Sequence, residues 1–303
     1  MVRKRVVVTG LGCVSPLGLN VDESWRTVLE GQSGVAPITL FDTTDFKTQF
    51  AAEVKGFDPD AAIGRRLARR MDRFTQFALV ATEEALQDSA LVIDDSNRDR
   101  IGVVIGTGIG GIGTLVEQHS EFLERGPRWV SPHLVPMMLP DSAPGYLAIT
   151  FGTRGPNMTV TTACASSANA IGEATEMIRR GAADVILAGG AEAAIVPIAL
   201  AGFNVMGAVS TRNDDPQRAS RPFDADRDGF VMGEGAAILV LESFEHASAR
   251  GATILAEVLG YNTTNDAYHI SAPAENGAGA VICMRNALAD ADLDASAIDY
   301  INA

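Results

Sequence analysis

Short apolar runs rich in β-branched residues recur along the chain: RVVVTG (5–10), IGVVIGTG (101–108), MTVTTA (158–163), DVILAGG (184–190) and AAILVLE (236–242). Continuous runs of this kind suit strands buried on both faces. Between them the period changes. In MDRFTQFALVATEEALQDSA, Phe74, Phe77, Ala78, Ala81 and Ala85 fall at i, i+3, i+4, i+7 and i+11, one face of a helix. A second helix is predicted after Cys164, running to about Arg180. Its stop signal is Arg179 and Arg180 followed by Gly181, basic residues before a C-terminal glycine. Strands alternating with helices predict an α/β protein with a largely parallel sheet under helices. The polar stretch 210–235, with Pro216 and Pro222, interrupts the pattern and reads as a long, ordered surface or active-site loop. A strand-like ILAEVLGY resumes after a boundary near Gly251, dividing the chain into 1–250 and 251–303. No fixed-period repeat is visible.

Composition narrows the class. A hydrophobic share of 47% in 303 residues supplies ample core, and 20% charged residues without long like-charge blocks marks a globular chain. With 38 acidic and 24 basic side chains the net charge is -14, which argues against nucleic acid and anionic membrane as partners. The basic N-terminus loosely imitates a signal peptide, but its apolar run is short and broken at Gly10 and Gly12, so a first strand is the better reading. No run approaches transmembrane length. Three cysteines, Cys13, Cys164 and Cys283, are not a disulfide framework and fit a reducing, cytoplasmic setting.

Several motifs imitate other chemistries. GTGIGG (106–111) has the glycine spacing of a dinucleotide fingerprint. The region that should carry the second strand and its acid is instead broken by Pro132, Pro136 and Pro140. A glycine-rich turn against a crowded site is the better reading. DADRDG (224–229) begins like a calcium loop, but position twelve is Gly235, with Glu234 one place early. His119, His133, His246 and His269 share no metal-ligand spacing with one another or with a cysteine, so no metal site is expected. His246 reads as a solvated surface residue and His269 as a structural hydrogen-bonding one.

Cys164 differs. It lies between a strand-like and a helix-like run, where a sharp turn exposes one side chain at a helix N-terminus. Unpaired N–H groups and the positive end of the helix dipole there favour a thiolate and can hold a developing oxyanion. Ala163, Ala165, Ser166, Ser167 and Ala168 leave room for a bulky acyl group. On spacing alone, a small buried hydrophobe packing a crowded helix fits equally well.

The segment VTTACASSANAIGEA (160–174) closely resembles the nucleophile segment of the β-ketoacyl-acyl carrier protein synthases, the condensing enzymes of fatty-acid synthesis. RVVVTGLGCVSPLG resembles the family's first strand and turn, and ASRPFDADRDGFVMGEGA (219–236) its long loop entering a strand. NDAYHISAPAENGAGA (265–280) is similar to the elongating enzymes in particular. The resemblance covers essentially the whole chain, with the motifs in order.

It implies a thiolase-like, layered α-β-α-β-α fold. Residues 1–250 would be the half carrying the nucleophile and 251–303 the beginning of an incomplete C-terminal half. It implies a homodimer and a decarboxylative Claisen condensation in which Cys164 holds the acyl chain. Ile109 and Phe203 would line the acyl pocket. No metal or redox cofactor is required, the substrates being carried on the phosphopantetheine of acyl carrier protein. That carrier is acidic, and GRRLARRMDR offers it a local basic patch: Arg65, Arg66, Arg69, Arg70 and Arg73, of which the last four cluster on one side if the segment is a single helix. Arg128 is a further candidate contact. In the family, the strand ending like IDYINA is followed by a His-Gly-Thr motif, then by a lysine, a second histidine and an oxyanion-hole phenylalanine. None of these lies within the 303 residues. The resemblance thus implies a C-terminally truncated part of a longer chain, able to hold an acyl group but not to condense it. The alternative is a non-catalytic ketosynthase-like partner subunit or fragment that binds acyl carrier protein. Chain-length partners of this fold typically lack the cysteine, which favours the enzyme. Thiolase-type transfer to coenzyme A is disfavoured by the loop motifs.

Overall fold

The computed structural model describes residues 3–302. In chain order its strands are β1 (Val6–Val14), β2 (Ala36–Pro37), β3 (Phe50–Ala51), β4 (Ile101–Gly106), β5 (Asn157–Val160), β6 (Val185–Glu192), β7 (Gly235–Ser243) and β8 (Ala256–Glu257). The α-helices are α1 (Val21–Leu29), α2 (Arg65–Ala68), α3 (Arg73–Ser89), α4 (Ile112–Arg125), α5 (Leu134–Met138), α6 (Ser142–Phe151), α7 (Ser166–Arg179), α8 (Pro197–Met206), α9 (Phe244–Ala249) and α10 (Ala278–Ala291).

Six strands form one sheet in the order β5-β4-β6-β7-β1-β8, while β2 and β3 pair separately. Helices cover both faces. The predicted stripe of α3 is fully buried, with Phe74 and Phe77 packed among Ile105, Leu147, Leu187 and Val240. On the opposite face α7 sets Ala170, Ala174 and Ile178 against Val6, Val104, Ile186 and Leu241. An α/β sandwich of three layers results, and each large side chain buried there contributes roughly 1.5–3 kcal/mol. All six residues of β4 are buried, as a strand covered on both faces requires.

The sheet is mixed, not largely parallel. β4 runs parallel to β5 and β6, but β6–β7, β7–β1 and β1–β8 are antiparallel. The polar stretch explains the reversal. After α8 it turns the chain at the end of the sheet where β6 finishes, so β7 re-enters beside β6 with Glu192 opposite Gly235. No crossover returns the chain to the other end. The stretch is well tied: Val209 bridges to Phe230, Ala52 bridges to Gly233, and Asp228 accepts from the Ser210 hydroxyl and the Thr211 N–H. These bonds hold the Asp228 carboxyl below its ordinary range.

Nor does β1 end at Gly10. It continues through Gly12 to Val14 because the two glycines admit α3: a Cβ on Gly10 would lie 2.3 Å from the Ala85 carbonyl oxygen, and one on Gly12 1.8 Å from that of Ala81. The strand-like ILAEVLGY is reduced to the two-residue β8, which pairs with β1. Beyond it α10 exposes Ile282 and Met284.

Candidate active site

β5 ends at Val160. Residues 163–165 form a single tight helical turn, and α7 starts at Ser166. Cys164 sits in that turn and is exposed. The residue before it, Ala163, has φ +50, a left-handed conformation that costs a non-glycine residue on the order of 1 kcal/mol or more. The turn is held against that cost. The Thr162 N–H donates to Ser166 Oγ at 2.9 Å, and the Ser166 hydroxyl donates to the Ala163 carbonyl at 2.7 Å. The Ala165 N–H goes to the Thr162 carbonyl, and the Ser166 N–H to that of Ala163. The N–H groups of Ala163 and Cys164 take no part in these bonds.

The glycines around the turn bring other strands up to it. A Cβ on Gly106 would lie 2.3 Å from the Ser166 carbonyl carbon, and one on Gly190 1.8 Å from Ser167 Oγ. The GTGIGG segment is therefore a glycine-rich turn pressed against the cysteine turn. Gly108 approaches Glu192, which closes β6 and accepts from the Gly108 N–H at 2.6 Å and the Thr107 hydroxyl at 3.2 Å. Burial pushes the Glu192 carboxyl up, against the pull of those bonds. Nearby, buried Asp72 caps α3 and accepts from the backbone and side chain of Thr114; burial raises it too. Neither acid was singled out in the sequence. Glu192 had one visible signal, an acid closing an otherwise apolar buried strand.

Ile109 follows Gly108 and is exposed beside this cluster. Phe203 lies on α8, packed edge-on against Phe230 with ring centroids 5.1 Å apart, in an apolar cluster with Ile38, Ile195, Leu200 and Ile112. Arg65, Arg66, Arg69 and Arg70 are exposed, and Arg128 is exposed on a separate turn. The arginines do not share one helix. α2 stops at Ala68, and Asp72 then starts α3 as its N-cap. Arg73, half-buried, is committed elsewhere: it pairs with buried Glu234 through two bonds at 2.7 and 2.9 Å and lies over the Phe77 ring. His246 is likewise not a solvated residue, for its Nδ1 meets the buried Glu242 carboxylate. His269 accepts from the N–H groups of Ser271 and Ala272, a structural role. Among the described residues no group of three or more His, Cys, Asp or Glu is arranged to hold a metal.

The family pattern described as "Beta-ketoacyl synthase, N-terminal domain" matches residues 3–247, and "Beta-ketoacyl synthase, C-terminal domain" matches residues 255–303. The chain belongs to the β-ketoacyl synthase family. Among curated members, it is 49% identical over 303 residues to "3-oxoacyl-[acyl-carrier-protein] synthase 2" of Vibrio cholerae, matching all of this chain and 73% of that one. The protein of the same name from Synechocystis is 50% identical over 301 residues, across 99% of this chain and 72% of that one. A solved β-ketoacyl synthase from Burkholderia phymatum superposes with a TM-score of 0.90 at 39% identity, over 99% of this chain and 73% of that one. A type II polyketide ketosynthase, solved with its acyl-carrier protein and bound to the hexaketide, gives a TM-score of 0.86 at 34% identity, over 98% of this chain and 72% of that one. The fold is thus the thiolase-like ketosynthase fold that the motifs implied.

Cysteine selectivity is the first testable consequence for this ketosynthase. Burial pushes the Cys13 thiol up, and Cys283 is half-buried with its Sγ 3.3 Å from the Asn262 carbonyl. Iodoacetamide at pH 7 is expected to modify Cys164 at least about 10-fold faster than either, a measurement made by peptide mass against time. Equal labelling of the three would remove the case for an exposed, activated thiol.

Proposed function

We propose that this chain is a 3-oxoacyl-[acyl-carrier-protein] synthase in which Cys164 takes the acyl group. The observation that carries the reading is Cys164 exposed on a turn held in a left-handed conformation between the edge strand β5 and a 14-residue helix. The Cys164 sulfur attacks the carbonyl carbon of the carrier-bound thioester. The new C–S bond replaces the one to phosphopantetheine, and the proton lost from Cys164 ends on the departing thiol. The Cys164 N–H is the donor for the oxyanion that develops. Ile109, next to the cysteine turn, and Phe203 are the proposed pocket residues. Decarboxylative condensation with malonyl on acyl carrier protein would be the second step of the reaction. No metal or redox cofactor enters the reaction. The test is transfer of an acyl group from acyl carrier protein to the chain, located by mass. An adduct on Cys164 supports the reading, and an adduct elsewhere or none refutes it.

The carrier's docking surface is proposed at Arg65, Arg66, Arg69 and Arg70, with Arg128. Three of these arginines, Arg65, Arg66 and Arg70, line a surface depression of about 430 Å³ together with Ile63 and Leu67. On a chain of charge -14 such a cluster stands out as the place for an acidic partner. Reversing Arg66, Arg69 and Arg70 to glutamate is expected to weaken carrier binding on the order of 10-fold or more at low ionic strength, and less in salt. Unchanged titration curves at both ionic strengths would rule this surface out. A homodimer is also proposed. It is supported by β5, which ends the sheet with one edge unpaired. The division near Gly251 and a cytoplasmic setting belong to the same reading. No helix among the described residues is long and apolar enough to cross a membrane.

A further inference from the structure

Three residues on one side of α7, Asn169, Gly172 and Arg179, meet the segment that follows β8, and Glu176 lies on the same side. Asn169, Gly172, Glu176 and Arg179 recur at i, i+3, i+7 and i+10, a single helical stripe. At its far end, the almost fully buried Arg179 donates to the carbonyls of Val258 and Leu259 and pairs with Asp290. Glu176 and Asp290 are joined by Arg3, and Asp290 in turn accepts from the Tyr261 N–H at 2.9 Å. These contacts hold the Asp290 carboxyl down at about 2 despite its partial burial. The backbone of Tyr261 is therefore fixed against α7.

Its side chain runs along the helix toward the cysteine. The ring occupies the space over Gly172, where a Cβ would lie 2.1 Å from ring carbon Cε2. The hydroxyl accepts from Asn169 Nδ2 at 3.0 Å and approaches the Asn169 carbonyl at 3.5 Å. Asn169 Oδ1 then accepts from the Thr162 hydroxyl at 2.6 Å. Thr162 directly precedes Ala163, the residue held at positive φ, and Cys164 follows. A continuous set of bonds thus runs from Tyr261 through Asn169 and Thr162 to the strained turn. Burial, and then the neighbouring Glu173, push the phenol up.

We propose that Tyr261 and Asn169, 92 residues apart, are positioning residues that act through Thr162 to hold the left-handed turn presenting Cys164. The Ser166 bonds fix the turn from within the helix, and the Tyr261–Asn169–Thr162 series fixes it from outside. The reactivity of Cys164 therefore depends on the segment after β8 as well as on its own helix. The inference rests on the acyltransferase reading for its biological meaning, but its test does not.

Iodoacetamide alkylation of Cys164 is followed by peptide mass from pH 6 to pH 10 in Tyr261→Phe, Thr162→Val and Thr162→Ser. Tyr261→Phe removes only the hydroxyl and keeps the ring over Gly172. Thr162 is exposed, so its replacements fold. The expected result is a rate at Cys164 lowered about 3- to 10-fold in Tyr261→Phe and Thr162→Val, with a displaced pH profile, as loss of one ordering hydrogen bond predicts. Thr162→Ser, which keeps the hydroxyl, stays within about twofold of the parent. Parent rates and an unmoved profile in Thr162→Val overturn the proposal, as does a Thr162→Ser rate as low as that of Thr162→Val. Failure of the acyltransferase reading shows itself differently, as absence of an acyl adduct on parental Cys164.

Discussion

Replacing Cys164 by alanine is expected to abolish acyl uptake from acyl carrier protein, a loss on the order of 10⁴-fold or more, as removal of a covalent nucleophile gives elsewhere. The same replacement should leave the melting temperature within about 2 °C, because an exposed side chain contributes little to packing. Those two outcomes belong together. A thiol that packed the helix would show the opposite pattern: a stability loss and no specific chemical loss. Cys164→Ser sharpens the comparison, since it keeps an oxygen nucleophile of similar size on the same strained turn. Serine lacks the easily formed thiolate, and among the described residues no histidine is paired with position 164 to activate a hydroxyl. It should fail almost as completely as alanine. Persistence of an adduct in Cys164→Ala, or its appearance on Cys13, would show that the elbow is not the acyl site.

The cysteine turn was legible in the sequence because its signals are local. A β-branched run, a cysteine, small residues and a helical period lie within fifteen positions, and strand, turn and helix form where those signals fall. What could not be read is what depends on distant partners. Gly10 and Gly12 look like strand breakers until α3 is packed on them, when their missing side chains become the reason the strand continues. Antiparallel entry of β7 follows from where a 28-residue connection returns the chain, which no periodicity within it records. Arg73 continues the arginine spacing perfectly well as a string. It is withdrawn from the surface by Glu234, 161 residues away. Tyr261 reads only as the end of the strand-like ILAEVLGY and becomes meaningful through Asn169 and Gly172. The candidate pocket lies between these cases, since Ile109 and Phe203 came from resemblance to the family and not from any pattern in the chain.

Glu242 carries the largest expected effect on stability. Its carboxylate is completely buried at the end of β7, and it accepts from the Thr9 hydroxyl of β1, His246 Nδ1 of α9 and the guanidinium of Arg250. Arg250 also donates to the Ser89 carbonyl at the end of α3, so one acid joins two strands and two helices. Despite burial, these bonds hold its pKa down at about 2, from an ordinary 4.5. Replacement by alanine strands the half-buried Arg250 without its partner and is expected to cost about 3–5 kcal/mol in urea unfolding at pH 7. The linkage has a definite sign. A carboxyl with a depressed folded-state pKa stabilises fully above the unfolded value, so the contribution is intact above about pH 4.5 and is lost as pH falls toward about 2. That loss amounts to roughly 3 kcal/mol. Asp184 and Asp290, also held down at about 2, lose their contributions over the lower part of the same window. Glu242→Gln cannot ionise, so its stability should vary less with acid than that of the parent, and the two curves should converge as pH approaches 2. Parallel curves between pH 5 and pH 2 would mean that Glu242 titrates alike in the folded and unfolded chain, so that its bonds to His246 and Arg250 add no pH-dependent stability.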